Sequence, residues 1–100
     1  MTRTRLPRTR LKVCCISSPE EARLAVAMGA DALGLVSAMP SGPGVIPDEL
    51  CARIAQSVPP PVAAVLLTSR TDAEGVMEQV RAVRPGLVQL VEVDGLRPAR

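Results

Sequence analysis

Four short apolar runs, separated by three segments that each read as a capped helix, constrain this chain more than any other feature. The runs cover residues 11–16, 32–36, 62–67 and 87–91. Each has the length of a strand and is too short for an ordinary core helix. The order is therefore β-α-β-α-β-α-β. Such alternation implies parallel strands joined by right-handed crossovers, an α/β array. A doubly wound sheet and part of a (β/α)8 barrel both satisfy that order. No G-x-G-x-x-G follows the first strand, which weakens the dinucleotide-binding version. A complete barrel needs about 200 residues or more, so 100 residues supply half of one.

The helical segments carry their own start and stop signals. Ser18-Pro19-Glu20-Glu21 offers a cap, a proline for the first turn and a glutamate three residues on. Leu24, Ala25 and Met28 then share one predicted apolar face, and Gly29 ends the helix. Pro47-Asp48-Glu49 opens a second helix, with Cys51, Ile54, Ala55 and Val58 on its buried side and Pro59-Pro60-Pro61 closing it. Thr71-Asp72-Ala73-Glu74 reads as a further capping box, followed by Val76, Met77, Val80 and Val83 as a buried stripe. The punctuated segment 37–47 is long for a connection within a βα unit, and loops at strand ends are where α/β proteins keep function.

Composition excludes several classes. The chain has no Phe, Tyr or Trp, so its core is aliphatic and it offers no stacking platform for single-stranded nucleic acid. Arg3, Arg5, Arg8, Arg10 and Lys12 all precede the first acidic residue, Glu20. Residues 1–10 are read as a disordered, solvated basic leader, and the rest of the chain offers no basic face for nucleic acid. No apolar run spans a membrane. With no histidine and no C-x-x-C, a metal centre is not expected. Three cysteines, two of them adjacent, suit reduced thiols in a cytoplasmic protein better than a disulfide framework. Cys51 reads as a small buried residue. Strand alternation puts Cys14 and Cys15 on opposite faces, Cys15 toward the helices. Cys14 is either a packed strand cysteine or the one nucleophile or base near the start of the chain.

At this point the residues resemble a known family. Lys12-Val13-Cys14-Cys15-Ile16, Ser18-Pro19-Glu20-Glu21-Ala22, Gly29-Ala30-Asp31-Ala32-Leu33-Gly34-Leu35-Val36 and Val88-Gln89-Leu90 resemble, in order and spacing, the K-[IV]-C-G-I, first-helix, G-A-D-A-[LV]-G-F-V and V-Q-L-H-G segments of phosphoribosylanthranilate isomerases. Cys15 stands where that pattern has glycine, and Val91 where it has histidine. The resemblance implies the N-terminal half of a TIM (β/α)8 barrel over residues 11–95, with a tail at 96–100. It also implies an Amadori rearrangement of N-(5′-phosphoribosyl)anthranilate in tryptophan biosynthesis, without cofactor. Cys14 would be the general base, its thiolate favoured by Lys12 on the same strand face. The acid and the phosphate-binding loops would lie in the other half.

Lys12, Ser37, Ser41, Gly42 and Gln89 are the expected substrate-binding residues, and the expected partner is a small phosphosugar. The alternative is a catalytically inactive, truncated half-barrel whose open sheet edges pair with a second copy, as a homodimer, or with another chain.

Overall fold

The computed structural model describes residues 8–40 and 42–91. Residues 1–7, Ser41 and the expected tail lie outside the described residues. Seven elements follow in order: β1 (Lys12–Val13), α1 (Pro19–Ala27), β2 (Ala32–Val36), α2 (Asp48–Ser57), β3 (Ala63–Thr68), α3 (Ala73–Val83) and β4 (Leu87–Leu90). The strands form one sheet in the order β1-β2-β3-β4, and every adjacent pair is parallel. The expected α/β array is therefore present, with its free edges on β1 and β4.

Local chemistry explains the helix ends, with one adjustment. The Ser18 hydroxyl accepts the Glu21 amide at 3.1 Å, and the Glu21 carboxylate reaches back to the Ser17 amide at 2.7 Å and its hydroxyl at 2.9 Å. Those bonds favour the charged form and hold the Glu21 carboxyl below its ordinary pKa. α2 has no side-chain cap, but Asp48 and Glu49 lie in its first turn and complement its dipole. α3 is capped by Asp72, which accepts the Gly75 amide at 3.1 Å, and not by Thr71. The box is displaced by one residue because a carboxylate is a stronger acceptor than a hydroxyl.

Strand alternation sorts the core into two layers. Leu33, Leu35, Ala64 and Leu66 face the helices and pack with Ile16, Ala22, Ile46, Cys51, Ile54 and Val83. Val36, Val65 and Leu67 form a smaller cluster on the opposite face of the sheet. The α2 stripe falls where its periodicity places it: Cys51 and Ile54 are fully buried, with Ala55 and Val58 packed beside them. Burial, aided by the charge of Asp48, pushes the Cys51 thiol up to about 11, as befits an inert packing residue.

Two helix faces depart from expectation. On α1 the packed residues are Ala22, Ala25 and Val26, while Leu24 and Met28 are 64% and 78% exposed. Leu24 and Met28 line, with Leu11 and Val13, an apolar groove along the free β1 edge. The helix thus has two apolar stripes, and only one meets this sheet. On α3 the buried residues are Gln79 and Val83, whereas Met77 is exposed. Gln79 is a polar residue on a buried face, and its bonds explain it. Its Oε1 accepts from the Thr68 hydroxyl, and its Nε2 donates to the Asp48 carboxylate at 3.3 Å. One amide thereby ties β3, α3 and α2 together, and no buried side-chain nitrogen or oxygen is unpaired among the described residues.

At the N-terminal end of the sheet, Asp31 is the fastener. Its carboxylate accepts the Leu11 amide at 2.8 Å and two Arg8 bonds at 2.6 and 3.1 Å, while its own amide donates to the Leu11 carbonyl at 2.8 Å. Its carbonyl accepts the Ala63 amide at 3.0 Å, so one residue registers β1, β2 and β3. Arg8, counted with the leader in the sequence, is thus bonded to the body of the fold. The Arg8 bond first, and the Leu11 amide second, hold the Asp31 carboxyl at about 2, against an ordinary value of 3.8. A carboxyl lowered by folding contributes stability that is complete above its unfolded value and lost as pH falls through its folded value. Asp31→Asn should therefore flatten the acid limb of the stability profile between those two values. Circular dichroism melts across that range check it, and an acid limb identical to wild type would contradict the assignment.

Candidate active site on the concave face of the sheet

β1 contributes Lys12 to this site, and Cys14 follows directly after the strand. Lys12 pairs in register with Ala32, and Val13 with Leu33, whose side chain faces the helices. Lys12 is therefore on the opposite, concave face, and Cys14 follows it by alternation. The Cys14 sulfur lies over Gly34: a Cβ on Gly34 would sit 2.6 Å from Cys14 Sγ and 3.3 Å from Leu67 Cδ1. Gly34 is thus required by close approach, and its missing side chain is the space the thiol occupies.

Gln89 reaches the same face from the far strand, since its register partner is Leu67. Lys12 Nζ donates to Gln89 Oε1. In a flat sheet β1 and β4 would be about 14 Å apart, three strand spacings, beyond a lysine's reach. The bond therefore records a strongly curled sheet, as a barrel wall requires. Lys12, Cys14 and Gln89, all exposed, converge on one concave surface from the two outer strands.

The other expected binding residues are placed differently. Ser37 is fully buried, and its hydroxyl donates to the Leu67 carbonyl at 2.8 Å, where its amide also binds at 3.1 Å. That hydroxyl stitches β2 to β3 and is engaged inside the fold. Gly42 is exposed with φ of 109°, a turn position that suits glycine. Ser41 lies outside the described residues.

Cys15 corrects the simplest expectation. Regular strand pairing stops at Val13, three residues earlier than predicted, because Cys15 has a left-handed backbone, φ 60°. This turn changes the phase of the chain. Cys14 stays on the concave face, while Ile16, two residues on, enters the helix-side core at 3% exposure. The place toward the helices that alternation assigns to Cys15 is filled by Ile16. Cys15 instead lies against the 37–47 connection, its thiol 3.8 Å from the Pro43 carbonyl. The left-handed region costs a side-chain-bearing residue roughly 1–2 kcal/mol, which is the physical reason a glycine suits this position.

No family model matches the chain. Known proteins similar to it include phosphoribosylanthranilate isomerases. An N-(5′-phosphoribosyl)anthranilate isomerase of Trichlorobacter lovleyi is 46% identical over 81 residues, covering 81% of this chain and 39% of that protein. A solved phosphoribosyl anthranilate isomerase in complex with reduced 1-(o-carboxyphenylamino)-1-deoxyribulose 5-phosphate superposes with a TM-score of 0.76 at 32% identity, over 83% of this chain and 42% of that one. A monomeric form generated from the dimeric enzyme of Thermotoga maritima gives a TM-score of 0.74 at 30% identity, over 83% and 41%. The chain thus spans about two-fifths of the length of the relatives it matches. By sequence and by fold, this chain is similar to the phosphoribosylanthranilate isomerases over about two-fifths of their length, a half-barrel.

Proposed function

We propose that this chain supplies the base-bearing half of an isomerase barrel that carries out the Amadori rearrangement of a phosphoribosylanthranilate-type phosphosugar. The observation that carries the reading is the convergence of Lys12, Cys14 and Gln89 on the concave face, with the thiol seated in the space left by Gly34. In this role Cys14 takes the proton from the sugar C2, while Lys12 and Gln89 border the substrate and orient its polar groups. The general acid and the phosphate-binding loops would come from the other half of such a barrel. Gly42, in the connection after β2, belongs to the rim of the same site. Such a biosynthetic protein works in the cytoplasm, on a soluble substrate and without cofactor; among the described residues no helix is long and apolar enough to cross a membrane.

The test is complementation. The chain is joined in one polypeptide to the C-terminal half of the Trichlorobacter lovleyi isomerase, and conversion of N-(5′-phosphoribosyl)anthranilate is followed. A compact chimera that turns over substrate supports the reading; a compact, folded chimera with no turnover sinks it.

A second reading, an inactive half-barrel that self-associates, is favoured by the exposed apolar residues on both free edges. Leu11 precedes β1 and Val13 lies in it, and Leu87 and Leu90 lie on β4. A two-fold along the barrel axis would pair β1 of each copy with β4 of the other, all strands parallel, closing eight strands. Size measurement on the isolated chain separates a closed dimer from a monomer.

A further inference from the structure

The 37–47 connection is held at its upper end by bonds that the Cys15 turn makes available. Where β1 leaves the edge of β2 after the Ile16 amide bonds the Gly34 carbonyl at 3.2 Å, the connection takes its place. Val45 forms a parallel bridge to Val36, and the Ile46 amide donates to the Val36 carbonyl at 2.9 Å. Ile46 is then buried in the helix-side core at 7% exposure. The same chain edge of β2 is used twice, by β1 below and by the returning connection above. Without the left-handed turn at Cys15, β1 would continue along that edge and exclude Val45.

Cys15 also touches the connection it makes room for. A Cβ on Gly44 would sit 2.7 Å from Cys15 Sγ, 2.8 Å from its Cβ and 3.2 Å from its Cα. Gly44 has φ of 86°, so glycine is needed there for both conformation and space. The Cys15 thiol points at the Pro43 carbonyl, a weak S–H to O contact. Between them, the two residues form a fitted pair, one with a side chain and one without.

From this geometry we propose that Cys15 is a positioning residue: its side chain latches Pro43 and Gly44 of the β2–α2 connection at the end of β2, beside Cys14. The thiol itself takes no part in chemistry. Its consequence for turnover rests on the isomerase reading, because an ordered connection matters there as a wall for the bound phosphosugar. Its consequence for the connection does not.

Amide hydrogen exchange on the isolated chain tests the latch directly. Cys15→Gly removes the latch and relaxes the left-handed strain, so the global melting temperature should hold or rise while the Ile46 amide exchanges about fivefold faster. Cys15→Ser, which keeps a donor near the Pro43 carbonyl, should fall between. Gly44→Ala should speed exchange in the parent chain, and do so less in the Cys15→Gly background, where the clash with Cys15 is gone. Exchange at Ile46 within twofold of the parent in both Cys15→Gly and Gly44→Ala would overturn the proposal. In the chimera, Cys15→Gly should raise KM severalfold and leave kcat within twofold; an unchanged KM beside faster exchange would reduce Cys15 to a structural residue and overturn the positioning role. A parent chimera without turnover counts against the isomerase reading, and the exchange experiment then decides the latch alone.

Discussion

Replacing Ile54 with alanine should cost about 2–5 kcal/mol of folding stability, the range found when a large aliphatic side chain is cut out of a packed core. Ile54 is fully buried on α2, among Leu33, Leu35, Leu66, Cys51 and Val83. It is the residue where α2 meets the sheet, and its neighbours are fixed by strand and helix backbones that cannot close over the void. The chain has no aromatic side chain to spread into the space. A domain of this size has about 5–15 kcal/mol in total, so the loss removes a large share of it. Ile54→Val, which deletes one methylene group, should cost only about 0.5–1.5 kcal/mol. Urea unfolding followed by far-ultraviolet circular dichroism measures both, since the chain carries no tryptophan for fluorescence. A midpoint for Ile54→Ala equal to that of Ile54→Val would show that the α2–sheet contact is not the centre of the core.

The architecture was legible in the sequence for simple reasons. Short apolar runs alternating with capped helices admit few folds, and the sheet has the parallel order that alternation implies. Ser18 and Glu21 make the predicted start of α1, and Cys51 is the buried residue its spacing suggests. The misreadings have physical causes as well. Leu24 and Met28 were assigned to the core because apolar spacing reports that a stripe exists, not which neighbour it meets; here the stripe faces the free edge of β1. Gln79 reads as solvent-facing in any polarity pattern, and only the positions of Thr68 and Asp48 make its burial affordable.

For the site, only positions were legible in the sequence. Lys12, Cys14 and Gln89 follow from strand alternation plus the family resemblance, and the sheet's curl brings Lys12 and Gln89 together. The position of Ser37 after β2 gives no hint that its hydroxyl bonds the backbone of β3. Cys15 was misjudged because alternation assumes a continuous strand, and nothing in a cysteine announces a left-handed backbone. The departure from the family's glycine at that position was the available signal. Glycine in a strand pattern marks a bulge, a bend or a close approach, and Cys15, standing in its place, takes the turn.

The account rests on Cys14 as the base of the rearrangement, and one substitution tests that most directly. A positioned general base contributes about 10²- to 10⁴-fold to turnover. On the concave wall Cys14 lies over Gly34, which contributes no side chain, and Val36 contributes an apolar one, while Lys12 is engaged with Gln89. Alanine at position 14 removes the sulfur and adds nothing that would press on Gly34, so the chimera's melting temperature should barely move. Conversion of N-(5′-phosphoribosyl)anthranilate by the chimera is measured for the parent, Cys14→Ala and Cys15→Ala. The account predicts that Cys14→Ala loses turnover by about 10²- to 10⁴-fold while Cys15→Ala keeps kcat near the parent value. A folded Cys14→Ala chimera that turns over substrate at the parent rate would contradict it.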